Sequence, residues 1–245
     1  MEMNRIAILR EEVYTANQAI HAEGLAKLTW GNVSGYDPEL GLMAIKPSGV
    51  DYSDLEPENI VFLDLDGRIH SDVPRASGSS FRPSSDTPSH LELYRSFPSV
   101  RGIVHTHSTY AVAWAQACTD IPIFGTTHAD HMVHDIPCTP PLESRYVRRN
   151  YEHETGRQIV RHLVSLDAGP EEIEMILVGC HGPFTWASNI RKALENAVAL
   201  EEIARMAYHT KMIRPDTERL PEELRQKHYQ RKHGPDEYYG QKYSG

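Results

Sequence analysis

Apolar residues Ile6, Leu9, Val13, Ala16 and Ile20 recur every three or four positions, the spacing of one helical face. An amphipathic helix is therefore expected to open the chain, with Gly24 as its stop. The rhythm then changes. Runs 29–35 and 41–46 flank Asp37-Pro38, as two short strands joined by a turn would. Ile60-Val61-Phe62-Leu63 reads as another strand, and the tight-turn pair Asp66-Gly67 leads on to Arg68-Ile69. Residues 73–83 are rich in Ser, Gly, Pro and Arg and low in bulky apolar side chains, which predicts a surface loop.

Ser85-Asp86-Thr87-Pro88 can start a helix with Leu91, Tyr94 and Phe97 inward, ended by Pro98. Gly102-Ile103-Val104 then leads as a strand into His105-Thr106-His107-Ser108. Ser108 or Thr109 is placed to cap a helix that turns Val112, Trp114 and Ala115 toward protein. Ile121-Pro122-Ile123 begins a turn into 125–130, and 151–166 reads as a helix. Met175-Ile176-Leu177-Val178 is a buried strand interrupted by Gly179-Cys180-His181-Gly182-Pro183. The longest helical pattern is 190–212, with Leu194, Ala197, Leu200, Ile203 and Ala207 on one stripe. The segment after Pro215 is charged and carries many His and Tyr. No repeat or break in composition divides residues 1–245, so one domain is expected. Strands and helices mix without strict βαβ alternation. The expected class is α/β, a single layered domain whose largely antiparallel central sheet is flanked by helices.

A length of 245 residues can bury a full core. The formal net charge of -9 argues against nucleic acid and against an anionic membrane as partners. No apolar run approaches the ~20 residues of a membrane span. Met1-Glu2-Met3-Asn4-Arg5 lacks the charged and apolar regions of a signal peptide. Cys118, Cys138 and Cys180 are odd in number and have no CxxC spacing. Reduced thiols in a cytoplasmic protein are the simplest reading.

The chemistry centres on the His-x-His pair. On a strand, His105 and His107 would point the same way, about 7 Å apart, and neutral imidazoles suit zinc. The residues alone also allow two histidines on a solvated face. A catalytic zinc site needs about three protein ligands and an open position. His181, at a strand end, is a third candidate, and Asp86 a fourth that could equally be a helix N-terminal carboxylate. Backbone amides and short hydroxyls suited to phosphate occur at Gly31-Asn32, at Ser48-Gly49 after Lys46-Pro47, and at Ser84-Ser85. Each is an ordinary turn sequence on its own. Together with a metal they suggest a phosphorylated polyol. No Gly-x-Gly-x-x-Gly nucleotide fingerprint is present.

Thr29-Trp30-Gly31-Asn32-Val33-Ser34, Lys46-Pro47-Ser48-Gly49-Val50-Asp51-Tyr52, Ser84-Ser85-Asp86-Thr87-Pro88, His105-Thr106-His107 and His181-Gly182-Pro183-Phe184 occur in that order. So do Gly125-Thr126-Thr127-His128-Ala129-Asp130, the tail 227–234, and Tyr238-Tyr239-Gly240-Gln241. In these motifs the chain resembles the class II aldolase/adducin family, and within it the pentulose-phosphate 4-epimerases, from about residue 28 to 241. The resemblance implies a zinc enzyme that interconverts L-ribulose 5-phosphate and D-xylulose 5-phosphate by retro-aldol cleavage and re-addition. It implies a homotetramer with active sites between neighbouring subunits, and a tail, about 215–245, that contributes to the site. By position, Asp86, His105, His107 and His181 would hold zinc. Asn32, Ser48, Gly49, Ser84 and Ser85 would hold phosphate, with Lys46 near the substrate. Asp130 and a neighbouring subunit's Tyr239 would be the acid/base pair, assisted by Thr126, Glu152, His228 and Arg231.

The chain departs from the pattern in three places. Segment 73–82 is longer than expected, Gly179 stands where a relative carries a second histidine, and the first helix matches only in pattern. Two alternatives from within the resemblance are a sugar-phosphate aldolase of the L-fuculose-1-phosphate type and a methylthioribulose-phosphate dehydratase. Cleaving relatives carry Glu at the position of Asp86, which favours the epimerase, and the tail argues against the dehydratase. A third alternative is a metal-free, adducin-like interaction module. The three intact histidines argue against it.

Overall fold

The computed structural model describes residues 2–70, 73 and 81–234. Residues 74–80 of the expected loop fall outside these residues, as does Tyr239. One six-stranded sheet organises the chain: β1 (Asn32–Asp37), β2 (Leu42–Ile45), β3 (Val61–Asp64), β4 (Gly102–His105), β5 (Met175–Val178) and β6 (Gly182–Ala187). The spatial order is β3-β2-β1-β4-β6-β5, and every neighbouring pair is antiparallel. The α/β class and antiparallel sheet expected from the sequence are thus the observed architecture.

Both faces of the sheet are covered. On one, Leu42, Ala44, Phe62 and Val104 pack with Leu9, Val13 and Ile20 of α1 (Glu2–Ala22) and with Ile190, Ala193 and Ala197 of α6 (Ile190–Ile213). On the other, Met43, Ile45, Ile103 and Trp186 pack with Leu91 and Tyr94 of α2 (Thr87–Ser96), with Phe97 just after it, and with Ile159 and Leu163 of α5 (Ser144–Ser165). Adjacent strand residues point to opposite faces. A strand buried on both faces must therefore be apolar throughout, which is why Ile60-Val61-Phe62-Leu63 shows no polar alternation. Gly35 and Gly102 face each other across β1 and β4. A Cβ on Gly102 would lie 2.5 Å from Ile190 Cα. Side chains here would lift the start of α6 off the sheet.

Several boundaries differ from expectation. The first strand begins at Asn32 rather than 29, because Gly31 turns the chain with φ +77. Helix α5 starts at Ser144, not 151, but Asn150 (φ -159, ψ 64) breaks its helical dihedrals one residue before the expected start. Strand β6 follows the 179–181 turn directly. Its Gly182-Pro183 start masks the aromatic and β-branched run Phe184-Thr185-Trp186. The segment 126–129 is one helical turn, α4 (Thr126–Ala129), after α3 (Thr109–Gln116), and the tail contains α7 (Glu222–His233). α7 has no buried residue, so it carries no apolar stripe to betray it. No helix among the described residues is long and apolar enough to cross a membrane.

Gly31 couples fold and site. A Cβ there would sit 2.9 Å from the His105 carbonyl oxygen, and the left-handed φ disfavours any L side chain. Gly31→Ala is expected to lower unfolding free energy by about 2 kcal/mol. An unchanged denaturant midpoint would show that the turn tolerates a side chain.

Candidate metal centre

The register places Asn32 opposite His105, and His105 opposite Phe184. The start of β1, the end of β4 and the start of β6 therefore meet at one end of the sheet. His105 is the last residue of β4, and His107 lies just beyond it. The two rings lie together where the strand ends. The turn between β5 and β6 supplies His181.

The imidazole centroids are 5.0 Å apart for His105–His107, 4.7 Å for His105–His181 and 5.2 Å for His107–His181. One nitrogen of each lies within 4.8 Å of the others. His105 Nδ1 is 2.9 Å from the Pro183 carbonyl oxygen. A carbonyl only accepts, so Nδ1 carries the hydrogen and Nε2 presents a lone pair. The His105 ring is stacked on Phe184 at 4.2 Å. His105 Nε2 and His181 Nδ1 are buried without a hydrogen-bond partner. Orphaned buried acceptors are costly in a folded protein. Converging imidazole lone pairs are the donor set of a divalent transition ion, so the residues fit one.

Burial pushes the His181 pKa down to about 3, helped by His105 and His107. Burial likewise takes His90 to about 3 and His128 to about 4. These rings fold neutral and protonate readily only when unfolded. The metal-free chain is expected to lose stability as pH falls from about 6.5 toward those lower values, because the unfolded state then binds more protons. A thermal midpoint that stays flat across that window would contradict the burial of these rings.

Asp86, immediately before α2, lies beside the triad but outside the group of mutually close nitrogens. Burial raises its pKa, yet nearby His105, His90 and His181 and a 2.7 Å hydrogen bond from Asn32 Nδ2 leave it below the ordinary carboxylate range. Asn32 Nδ2 also donates to Ser84 Oγ at 3.1 Å. Asn17 of α1 pins the neighbouring Val33 through both its amide hydrogen and its carbonyl.

A cavity of about 370 Å³ opens over these groups, lined by Asn32, Lys46, Ser48, Gly49, Ser84, Ser85, Asp86, His107, Glu152 and His181. Two segments distant in sequence are joined to make its wall. Ser48 N–H donates to the Arg82 carbonyl at 2.9 Å and Ser84 N–H to the Lys46 carbonyl at 3.0 Å. Lys46 is buried, with Nζ donating to the Val50 carbonyl at 2.5 Å and lying 4.8 Å from the Tyr52 ring centroid. Burial pushes its pKa down to about 8 against the pull of Asp51. Glu152 reaches the wall because α5 packs closely on α2. A Cβ on Gly156 would lie 2.8 Å from the Ser89 carbonyl oxygen, and Ser89 Oγ donates to the Glu152 carbonyl.

The structure gathers the remaining predicted residues elsewhere. Thr126, Asp130, His228 and Arg231 do not line this cavity. Asp130, after α4, receives Arg231 Nε at 3.0 Å and Nη2 at 2.7 Å, with His228 Nδ1 at 3.0 Å, all from α7. Burial opposes the charge on Asp130, but the Arg231 and His228 hydrogen bonds outweigh it and hold the pKa below the usual range.

Sequence reasoning missed two groups at the metal end. Tyr151 lines the cavity with its ring 5.9 Å from His181. His90 is buried behind Asp86, with Nδ1 2.7 Å from Ser34 Oγ, which in turn lies 2.8 Å from Tyr94 Oη. Its i+4 spacing from Asp86 marked it.

Comparison with known proteins agrees with this architecture. An L-fuculose 1-phosphate aldolase superposes with TM-score 0.74 at 23% identity, over 91% of this chain and 95% of that one. The L-fuculose 1-phosphate aldolase from Glaciozyma antarctica PI12 gives 0.75 at 16% identity, over 94% and 83%. YgbL from Escherichia coli, whose description spans aldolase, epimerase and decarboxylase, gives 0.69 at 24%, over 91% and 98%. At such identities the likeness establishes the fold. The family model described as "Class II Aldolase and Adducin N-terminal domain" matches residues 11–208, taking in the sheet, the three histidines and the cavity wall. With that match extending over most of its length, the chain belongs to the class II aldolase and adducin family.

Proposed function

We propose that the protein is a zinc-dependent sugar-phosphate 4-epimerase that interconverts L-ribulose 5-phosphate and D-xylulose 5-phosphate. The observation that carries the reading is the convergence of three imidazole nitrogens within 4.8 Å of one another, with His107 and His181 lining a cavity walled by Ser48, Gly49, Ser84 and Ser85. His105, His107 and His181 would hold the ion, with Asp86 as the adjoining carboxylate. Bound there, a divalent ion supplies Lewis-acid stabilisation of the negative charge that develops as a carbon–carbon bond breaks next to a carbonyl.

The chain's own groups would do the rest. Short hydroxyls and amides around Ser48-Gly49 and Ser84-Ser85, with Asn32, would grip the phosphate, and Lys46 would add positive charge beside it. A base would take the C4 hydroxyl proton and the C3–C4 bond would break. The aldehyde fragment, anchored by its phosphate, would then turn its other face before the bond re-forms. Inversion needs proton-transfer groups on opposite faces, and Asp130 with Tyr239 would fill those roles. Asp130, His228 and Arg231 stand apart from the cavity of their own chain, which fits a site completed by a neighbouring subunit. Exposed Met206, Tyr208, Met212 and Ile213 on α6 provide an apolar surface for self-association into the expected homotetramer.

A second reading has its own support. The likeness to L-fuculose 1-phosphate aldolases favours cleavage with release of the fragments. Asp86, in place of the longer Glu of cleaving relatives, favours re-addition. Incubating the zinc-loaded protein with L-ribulose 5-phosphate separates the two. The proposal expects D-xylulose 5-phosphate without free aldehyde, whereas accumulating fragments would replace it with the aldolase. Tyr239→Phe is expected to lower turnover in at least one direction by about a hundredfold with zinc content full. Unchanged rates would remove Tyr239 from the reaction.

A further inference from the structure

Cys118 and Cys180 meet on the surface beside the turn that presents His181. Their Sγ atoms are 3.5 Å apart and both residues are exposed. Cys118 follows α3, and Cys180 lies in the turn between β5 and β6. The backbone fixes the pair before any bond forms. The amide of Cys118 donates to the Ala115 carbonyl at 3.0 Å, and the amide of Cys180 donates to the same oxygen at 2.8 Å. Two amides on one acceptor tie both backbones to the same point of α3. Both residues also have left-handed backbones, at φ +50 and φ +63, which non-glycine residues adopt uncommonly. Cys138 differs. It is buried, with Sγ toward the Thr139 carbonyl at 3.5 Å.

We infer that Cys118 and Cys180 form a reversible disulfide whose closure loosens the metal ligand His181. The oxidant class is a low-molecular-weight disulfide such as oxidised glutathione. One cysteine thiolate attacks a glutathione sulfur and one glutathione leaves as the thiol. The second cysteine thiolate then attacks the mixed disulfide, and a second glutathione leaves. The protein loses two hydrogens, the two cysteine sulfurs are oxidised, and the glutathione disulfide is reduced to two thiols.

Closing 3.5 Å to a bond of about 2.05 Å needs an approach shared between the two side chains and the turn, which moves toward α3. The turn has little slack. Gly179 N–H donates to Thr139 Oγ1 at 3.1 Å, and a Cβ on Gly179 would lie 2.4 Å from the Thr139 carbonyl oxygen. His181 N–H is tied to the Val178 carbonyl at 2.9 Å. The displacement therefore passes to the next residue, His181. The disulfide itself stands on geometry alone, whereas its effect on the ion rests on the reading of His181 as a ligand.

The test uses the full chain loaded with zinc. It is treated with oxidised glutathione, quenched, and followed by intact mass, peptide mapping and zinc titration. The expected product lacks two hydrogens, carries no glutathione, maps to a Cys118–Cys180 link, and binds zinc about tenfold more weakly, with recovery under dithiothreitol. Cys118→Ser and Cys180→Ser should each accumulate one glutathione instead and keep their zinc affinity. Stable glutathione adducts on the unsubstituted chain, or a link through Cys138, would overturn the disulfide. A Cys118–Cys180 link that leaves zinc affinity unchanged would overturn the coupling to His181. Loss of zinc binding from the reduced chain as well would point to the metal reading, not the disulfide, as the failure.

Discussion

His181→Ala is expected to cost the protein its divalent ion and to lower kcat/KM by about a thousandfold. The residue comes from the β5–β6 turn, far along the chain from His105 and His107, and completes the triad. Its Nδ1 is buried without a partner, so the native structure gives that nitrogen nothing else to bind. A Lewis acid supplies several kcal/mol of charge stabilisation in such chemistry, and about 4 kcal/mol corresponds to about a thousandfold in rate. The ring is only partly buried and belongs to a turn, so its removal should leave the sheet intact. Circular dichroism and metal analysis of the variant check both halves. Stoichiometric zinc with undiminished turnover would exclude His181 as a ligand.

Asp130→Asn is expected to lower turnover by about a hundredfold to ten-thousandfold while zinc remains bound. The carboxylate is held by Arg231 and His228, which keep it ionised and fix the direction of its lone pairs. The same contacts dock α7 against α4, so a structural role must be separated from a chemical one. If Asp130 only ties down the tail, the variant should become sensitive to proteolysis within Glu222–His233 and lose substrate affinity more than kcat. A chemical role lowers kcat with the tail protected. The pH dependence has a definite sign. The folded pKa is depressed, so the docking contribution is complete above the unfolded carboxylate value of about 3.9. It is lost as pH falls through the lower folded value.

The layered α/β class was legible because both sheet faces are buried and runs such as Ile60-Val61-Phe62-Leu63 and Met175-Ile176-Leu177-Val178 are apolar on both. The stripes of α1 and α6 were legible for the complementary reason, since each helix hides one side only. β6 was not, because Gly182 and Pro183 suppress its strand signal while serving the site. The Pro183 carbonyl orients His105, and a Cβ on Gly182 would lie 2.9 Å from the Thr106 carbonyl oxygen. α7 was hidden because its stabilising contacts are ionic.

At the site, the residue types and their order pointed to a metal, and the strand that carries the pair ends at His105, so His107 lies just past it. Lys46 and Glu152 reach the cavity through long-range packing, by the 46–48 to 82–84 pairing and the Gly156 contact, which local spacing does not encode. The two-cluster arrangement, with Asp130 beside its own tail and away from the cavity, was likewise beyond a linear reading.

The central claim is that three imidazoles share one ion. X-ray absorption at the zinc edge of the reconstituted protein tests it most directly. The account predicts one zinc per chain with three imidazole nitrogens at about 2.0–2.1 Å and no sulfur neighbour. A sulfur shell at about 2.3 Å, or a folded protein that takes up no zinc, would contradict it.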